Sequence, residues 1–416
     1  MKKLLTLLAV LLLSGALAQP QVSNVGVLLD YTGALAEFGP AMRNSAELAA
    51  AQINAAAEAV FGGPIIRLIH EDSATSAAVG ADRARKLIDV DGVVAIVGSL
   101  ASSVTVAVAE AVTAPARVVQ ISPASTSPLL TFLNDNDFLF RTTASDALQG
   151  VVAGQLARGE IVPGYSFDTA ATIFVNNPYG QGLNENFVRS FEARGGRVLA
   201  AVPHPEEPQP TYAAQLEQAL AGNPDVLVAI SYPGQATVYL AESRDLFGFT
   251  SWQFVDGTKS IRIIEALGAE TVEGLLGTAP GADPEWAGNE LFLAAHEAAY
   301  GTRPALPFND TVYDAVAVIG LAIAKAYLDG VEITGEAVRD RLREVSNAPG
   351  EVVGVGAFEE AFRLLQRGVA INYTGAAGEV DFDQHGDVLT PVEIWRYAGG
   401  AIEVVAIRRA DEIPLE

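Results

Sequence analysis

The sequence predicts an α/β protein made of two successive doubly wound parallel-sheet units, and three observations predict it. Short apolar runs alternate with amphipathic stretches of helical period from residue 22 onward. The alternation restarts with a new helix at 146. The 416 residues, half of them hydrophobic and 18% charged, are enough for two or three domains with sizeable cores.

In chain order, residues 25–29 read as a buried strand and 40–57 as a helix. Met42, Ala46, Ala49, Ala50 and Ile53 share one face of that helix. A strand at 65–69 leads to Asp72 and Ser73, which offer caps for a helix running to Ile88. Strands at 93–97 and 118–121 flank a helix at 104–114. In the second unit, helices at 146–156, 183–194, 212–220 and 236–247 alternate with strands at 171–175, 197–202, 226–230 and 253–256. The proline-rich stretch 203–210 reads as a loop. The tail changes character. Long helices at 286–300, 312–328 and 336–345 precede strands at 380–382, 392–396 and 402–407. Packing this tail onto the two units requires the chain to cross between them more than once.

Charge and composition exclude several functions. With 26 Lys plus Arg against 50 Asp plus Glu, the net charge is -24. Such a surface repels phosphate and disfavours nucleic acid and anionic membranes as partners. The absence of cysteine removes disulfides, thiol catalysis and thiolate metal sites. Lys2 and Lys3, an apolar run at 4–13 and the small residues around Ala16-Leu17-Ala18 predict a secretory leader at 1–18, cleaved after Ala18. No later stretch reads as long and apolar enough to span a bilayer, the nearest being 315–324, which runs into Lys325. The expected location is the periplasm.

In open parallel sheets, ligands bind beyond the carboxyl ends of the strands. Those ends carry Asp30, Tyr31, Thr32 and Gly33; Gly98 to Thr105; and Ser122 to Ser127 in the first unit. Hydroxyls and free N–H groups at helix starts suit a carboxylate. In the second unit they carry Asn177 and Tyr179, Ser231 and Tyr232, then Asp256 and Gly257. Aromatics and one acid suit an apolar side chain and an ammonium group. Taken singly, each residue has an ordinary role, the hydroxyls as helix caps, the tyrosines in packing and Asp256 in a solvated turn. Taken together, carboxylate-binding groups fall in one lobe and ammonium-binding groups in the other.

Asp30-Tyr-Thr-Gly33 with Phe38-Gly39, Glu71-Asp72, the segment 98–105, Ile121-Ser-Pro-Ala-Ser-Thr126-Ser-Pro128, Phe140-Arg141-Thr142 through Gln149-Gly150, Asn177-Pro-Tyr179-Gly-Gln-Gly182 and Glu273-Gly274-Leu275 follow one another in order. This ordered set resembles the type I periplasmic binding proteins of ABC transporters, specifically the leucine/isoleucine/valine-binding family. The resemblance spans essentially the whole chain after the leader. It implies two lobes joined by a three-strand hinge, with crossings near Ala144, Ala279 and Leu389. Lobe 1 is then 21–144 plus 280–388, and lobe 2 is 145–279 plus 389–416. It implies a ligand site of Ser102, Ala124, Ser125 and Thr126 for the α-carboxylate and part of the ammonium. Tyr179 and Tyr232 are aromatic clamps, and Asp256 stands where the family commonly has Glu for the ammonium. Phe38 replaces a frequent Tyr, and Phe308 aligns with a side-chain contact. The implied partners are a small amino-acid-like ligand and an ABC permease, with the protein a monomer and no cofactor. Sensing through a receptor, or binding of short amides, urea or aromatic acids, are the alternatives.

Enzyme readings find little support. No Gly-x-Ser-x-Gly is present. His296-Glu297 lacks the second zinc-site histidine, its place being taken by Tyr300. Gly354-x-Gly356 is followed by Glu359 rather than by the third glycine of a dinucleotide loop. Asp381, Asp383 and Asp387 resemble a calcium loop, but His385 and Val392 occupy ligand positions. A β-hairpin turn accounts better for that stretch.

Overall fold

The computed structural model describes residues 20–414, so the leader expected at 1–18 lies outside the described residues. Five strands, β1 (Ser23–Leu29), β2 (Ile66–Asp72), β3 (Ala95–Gly98), β4 (Val119–Ser122) and β5 (Leu139–Arg141), form an all-parallel sheet in the order β2-β1-β3-β4-β5. Val25, Val27, Leu28, Ile96, Val97, Val119 and Ile121 are fully buried. Helices cover both faces of such a sheet, which is why these strands are apolar throughout rather than alternating. β6 (Thr169–Val175), β7 (Arg197–His204), β8 (Val226–Ile230), β9 (Trp252–Phe254) and β10 (Leu276–Pro280) make a second parallel set. After a small parallel pair, β11 (Glu351–Val353) and β12 (Ile371–Tyr373), the hairpin β13 (Val392–Ala398) and β14 (Ala401–Arg408) adds antiparallel to β10. The second sheet thus reads β14-β13-β10-β9-β8-β6-β7.

The chain leaves the first sheet after β5 and the second after β10, and rejoins the second at β13. Between the last two of these points lie the helices Ala287–Tyr300, Asn309–Leu328 and Gly335–Ser346, packed on the first sheet and on the helix Gly39–Phe61. Met42, Ala46, Ala49, Ala50 and Ile53 form the buried face of Gly39–Phe61. Asn309–Leu328 corrects one expectation. It has the length and mean hydropathy of a membrane span, yet 83% of its apolar window is buried inside the protein. It is the central core helix of the first lobe, sandwiched between neighbours on several sides.

Other departures are local. Ser76, not Asp72 or Ser73, is the N-cap residue of the helix Ala77–Asp89. The Asp72 carboxylate instead accepts from the Tyr31, Thr32 and Ala74 amides. Pro203 is not in a loop but pairs with Phe174 in β7, an edge strand whose lost donor faces no partner. Residues 380–382 form no strand, although Val380 and Phe382 are buried. The stretch after them is therefore not a hairpin turn. Asp383 closes it by accepting from the His385 and Asp387 amides.

Candidate ligand-binding site

The carboxyl ends of the two parallel sets face each other across a cleft. Behind β1, the buried Asp30 carboxylate accepts from the Ser73 hydroxyl (2.7 Å) and the Thr75 amide (2.7 Å). This ties the loop carrying Leu35 and Phe38 to the one after β2. β3 ends at Gly98, where a Cβ would stand 2.1 Å from the Leu28 carbonyl, at φ 136°. Only glycine lets the next residues, Ser99 to Ser102, turn into the cleft.

After β4, the Ser122 hydroxyl accepts from the Ser125 amide (2.9 Å) and donates to the Ser99 carbonyl (2.7 Å). The Ser125 hydroxyl donates to the Leu100 carbonyl (2.9 Å), and the Thr126 hydroxyl to Asp146 Oδ2 (2.9 Å). Arg141, 1% exposed, donates to the Thr126 and Ser127 carbonyls and pairs with Asp387 at 2.6 Å. The 122–127 loop is thereby held from beneath by its own hydroxyls and one buried guanidinium.

On the other lobe, Asn177 caps the helix Pro178–Ala193 by accepting from the Gly180 amide, which sets Tyr179 in the first turn. Tyr232 precedes the helix Pro233–Phe247. The Tyr179 and Tyr232 rings stack at 5.5 Å and 11°. Asp256 follows β9. Its Oδ1 accepts from the Tyr179 hydroxyl (2.7 Å) and from the Gln149 amide (2.9 Å). Burial raises the Asp256 carboxyl above the usual carboxylate range, while these hydrogen bonds pull it back down. Burial and the nearby Asp256 also raise Asp146. Phe308 adopts a left-handed backbone (φ 71°) just before its helix, and its ring meets Phe38 at 6.4 Å.

Seven of the nine residues singled out from the sequence, Phe38, Ser102, Ala124, Tyr179, Tyr232, Asp256 and Phe308, line one cavity with Leu35, Leu100 and Gly257. Only about 20 Å³ of it is free, room for about one water and well below the volume of ligand pockets, so its walls meet closely across the cleft. Asp256 is the one ionisable acid among these walls, and no Lys or Arg joins it. The hydroxyls of Ser125 and Thr126 are used within the wall itself. Arg141 has no role that its sequence neighbours reveal. Nothing in the local sequence pairs it with Asp387, 246 residues away. Among the described residues no group of three or more His, Cys, Asp or Glu side chains could hold a metal ion.

A periplasmic binding protein family model matches residues 23–372. The chain is 27% identical over 350 residues, 80% of this chain and 77% of the relative, to a chemotactic signal transduction system substrate-binding protein, BasB, of Halobacterium salinarum. It is 28% identical to a leucine-, isoleucine-, valine-, threonine- and alanine-binding protein of Pseudomonas aeruginosa, over 74% of this chain and 79% of that one. The fold matches the crystal structure of a leucine-binding protein, LivK, of Thermotoga maritima with a TM-score of 0.77 at 24% identity, covering 94% of this chain and all of that one. With its two facing sheets and the cleft between them, the chain belongs to the type I periplasmic binding proteins of the leucine/isoleucine/valine-binding family.

Proposed function

We propose that this protein captures a small α-amino acid in the cavity between its lobes, outside the cytoplasm, and delivers it to an ABC permease. The observation that carries this is the make-up of one cavity. Ser102, Ala124 and the hydroxyl-braced loop enter it from the first lobe, and Asp256 with the Tyr179–Tyr232 stack from the second. In this reading the α-carboxylate takes the Ser102 hydroxyl and the Thr126 amide, the Ser125 amide being held by the Ser122 hydroxyl, a neutral set suited to an anion once water is excluded. The ammonium takes Asp256 and the tyrosine faces. The apolar side chain lies among Leu35, Phe38, Leu100 and Phe308. The chain crosses between lobes near Ala144, Ala279 and Leu389, and bending there closes the cleft. The protein works as a monomer, with its leader removed after Ala18.

A second reading, in which closure signals to a receptor, is supported by the chemotactic role in the name of the Halobacterium relative. The test of capture is a thermal-shift screen of the purified protein against amino acids, short amides, urea and aromatic acids. A ligand at 100 times its Kd adds about 2.7 kcal/mol of stability. An α-amino acid should stabilise the wild type and lose its effect on Asp256→Ala. A hit confined to ligands without an ammonium would overturn the amino-acid reading.

A further inference from the structure

Two carboxylates outside the cavity cross the cleft in opposite directions. Glu37, in the first lobe next to Phe38, reaches the start of the second-lobe helix Ile261–Leu267. There it accepts from the Ile261 amide (2.8 Å) and from the hydroxyl of Ser260, the N-cap residue of that helix. Glu206, in the second lobe after β7, reaches back to the first. Its Oε1 accepts from the hydroxyl of Ser103 (2.6 Å), the neighbour of the cavity residue Ser102. The same oxygen accepts from Asn177 Nδ2 (2.7 Å), and that nitrogen also donates to the Tyr232 hydroxyl (2.9 Å). Gln235 holds the Glu206 backbone by donating to its carbonyl. Each carboxylate therefore bridges the two lobes within one residue, or one hydrogen bond, of a cavity wall.

We infer that Glu37 and Glu206 are latches that set how long the lobes stay shut over a captured ligand. The inference rests on the capture reading above. Both side chains are half-buried and accept from neutral donors of the opposite lobe, bonds that exist only while the cleft is closed. Hydrogen bonds to charged acceptors are the stronger class. Lobe opening returns both carboxylates to water. Breaking a latch thus raises the rate of opening and release, while the encounter of ligand with the open cleft is unaffected. Neither residue lines the cavity, so neither changes which ligand is chosen.

The chain has no cysteine, so Glu110→Cys and Glu217→Cys, exposed sites on the first and second lobes, can carry a fluorescent donor and acceptor. With the amino acid found in the screen, stopped-flow release from Glu37→Ala and Glu206→Ala should be about tenfold faster than from the doubly labelled parent that keeps both carboxylates. The on-rate should stay within twofold and the order of ligand preference should be unchanged. Glu37→Gln keeps one acceptor and should fall between parent and alanine variant, which separates a latch from simple misfolding. Release rates within twofold of the parent in both alanine variants would overturn the inference. If no amino acid binds, the capture reading fails, and single-molecule transfer efficiency without ligand tests the latches alone. Each alanine variant should then show a smaller closed fraction, and an unchanged fraction overturns the proposal.

Discussion

At the scale of the residue, the informative contrast is between side chains whose chemistry is visible in sequence and those whose role depends on a distant partner. Phe38, Ser102, Ala124, Tyr179, Tyr232 and Asp256 were legible because each follows a strand at its carboxyl end, a position fixed by local pattern. Ser125 and Thr126 occupy the same kind of position, but their hydroxyls turn inward to the Leu100 carbonyl and Asp146. Whether a loop hydroxyl faces ligand or its own backbone is settled by three-dimensional packing. Glu37 and Glu206 carried no signal, their partners lying 224 and 103 residues away. The Tyr179 hydroxyl offers a residue-level prediction. It donates to Asp256 and helps keep that buried carboxyl from rising further. Tyr179→Phe keeps the ring stack and removes the donor, so Asp256 should hold its proton to higher pH. Affinity for an amino acid at pH 7 should fall about tenfold, by the loss of one hydrogen bond to a charged group. Because a raised carboxyl ionises as pH increases, the deficit should shrink at pH 8.5. Titration calorimetry at the two pH values checks this, and a deficit independent of pH would assign Tyr179 a packing role only.

At the scale of the element, long periodic helices and fully apolar strands were readable, and short or mixed ones were not. The strand at 226–230 matches β8 to the residue. β5 has three residues, one of them the buried Arg141, and β11 begins with two exposed residues, so neither presents an apolar run. The apparent strand at 380–382 shows the converse, since buried apolar side chains alone do not provide a pairing partner. Close helix contact was equally hidden. The helix Asp146–Ala157 lies against Pro178–Ala193 along Gly150 and Gly154. A Cβ on Gly154 would meet Ser190 Cβ at 2.7 Å and the Phe191 amide nitrogen at 2.9 Å, neither of which can swing aside. A Cβ on Gly320 would meet only side-chain atoms, Ile53 Cδ1 at 2.5 Å and Cγ2 at 3.1 Å, which give more readily than a neighbouring helix backbone. Alanine gains helix propensity at both sites, so the clash decides the outcome. Gly154→Ala should destabilise the protein by about 1–3 kcal/mol, and Gly320→Ala by less. Denaturant unfolding of the two variants checks the order, and equal stabilities would show that the two helices separate more freely than their packing indicates.

At the scale of the whole molecule, the restart of the strand–helix alternation announced two sheets, and the mixed tail announced repeated crossings. What the sequence could not convey is how many acids the closed, two-lobed shape would bury. Asp30 and Asp314 are fully buried. Burial pushes the first up to about 6 and the second up to about 7, although Asp314 accepts from the Tyr373 hydroxyl and two amides. A carboxyl raised in the folded state holds its proton there after the unfolded chain has lost its own. Between about pH 4 and 7 the native protein therefore binds more protons, and its stability falls as pH rises. His204 acts in the opposite sense. Buried between the Ser231 hydroxyl and the Pro205 carbonyl, it is pushed down to about 4, so its contribution rises with pH and is complete by about 6.5. Above pH 6.5 only the acids remain, joined by the self-repulsion of a chain carrying a net -24. Two raised acids outweigh one lowered histidine, so the melting temperature of the ligand-free protein should already be falling at pH 6 and be lower at pH 8. Capture should run the other way, because the raised Asp256 must be ionised to hold an ammonium. The thermal shift given by a fixed excess of amino acid should then be larger at pH 8 than at pH 6, even as the ligand-free protein melts earlier. Melting curves with and without ligand across that range measure both trends at once. A ligand-free melting temperature that rose from pH 6 to 8 would contradict the buried acids, whereas a shift that shrank over the same range would contradict the role given to Asp256.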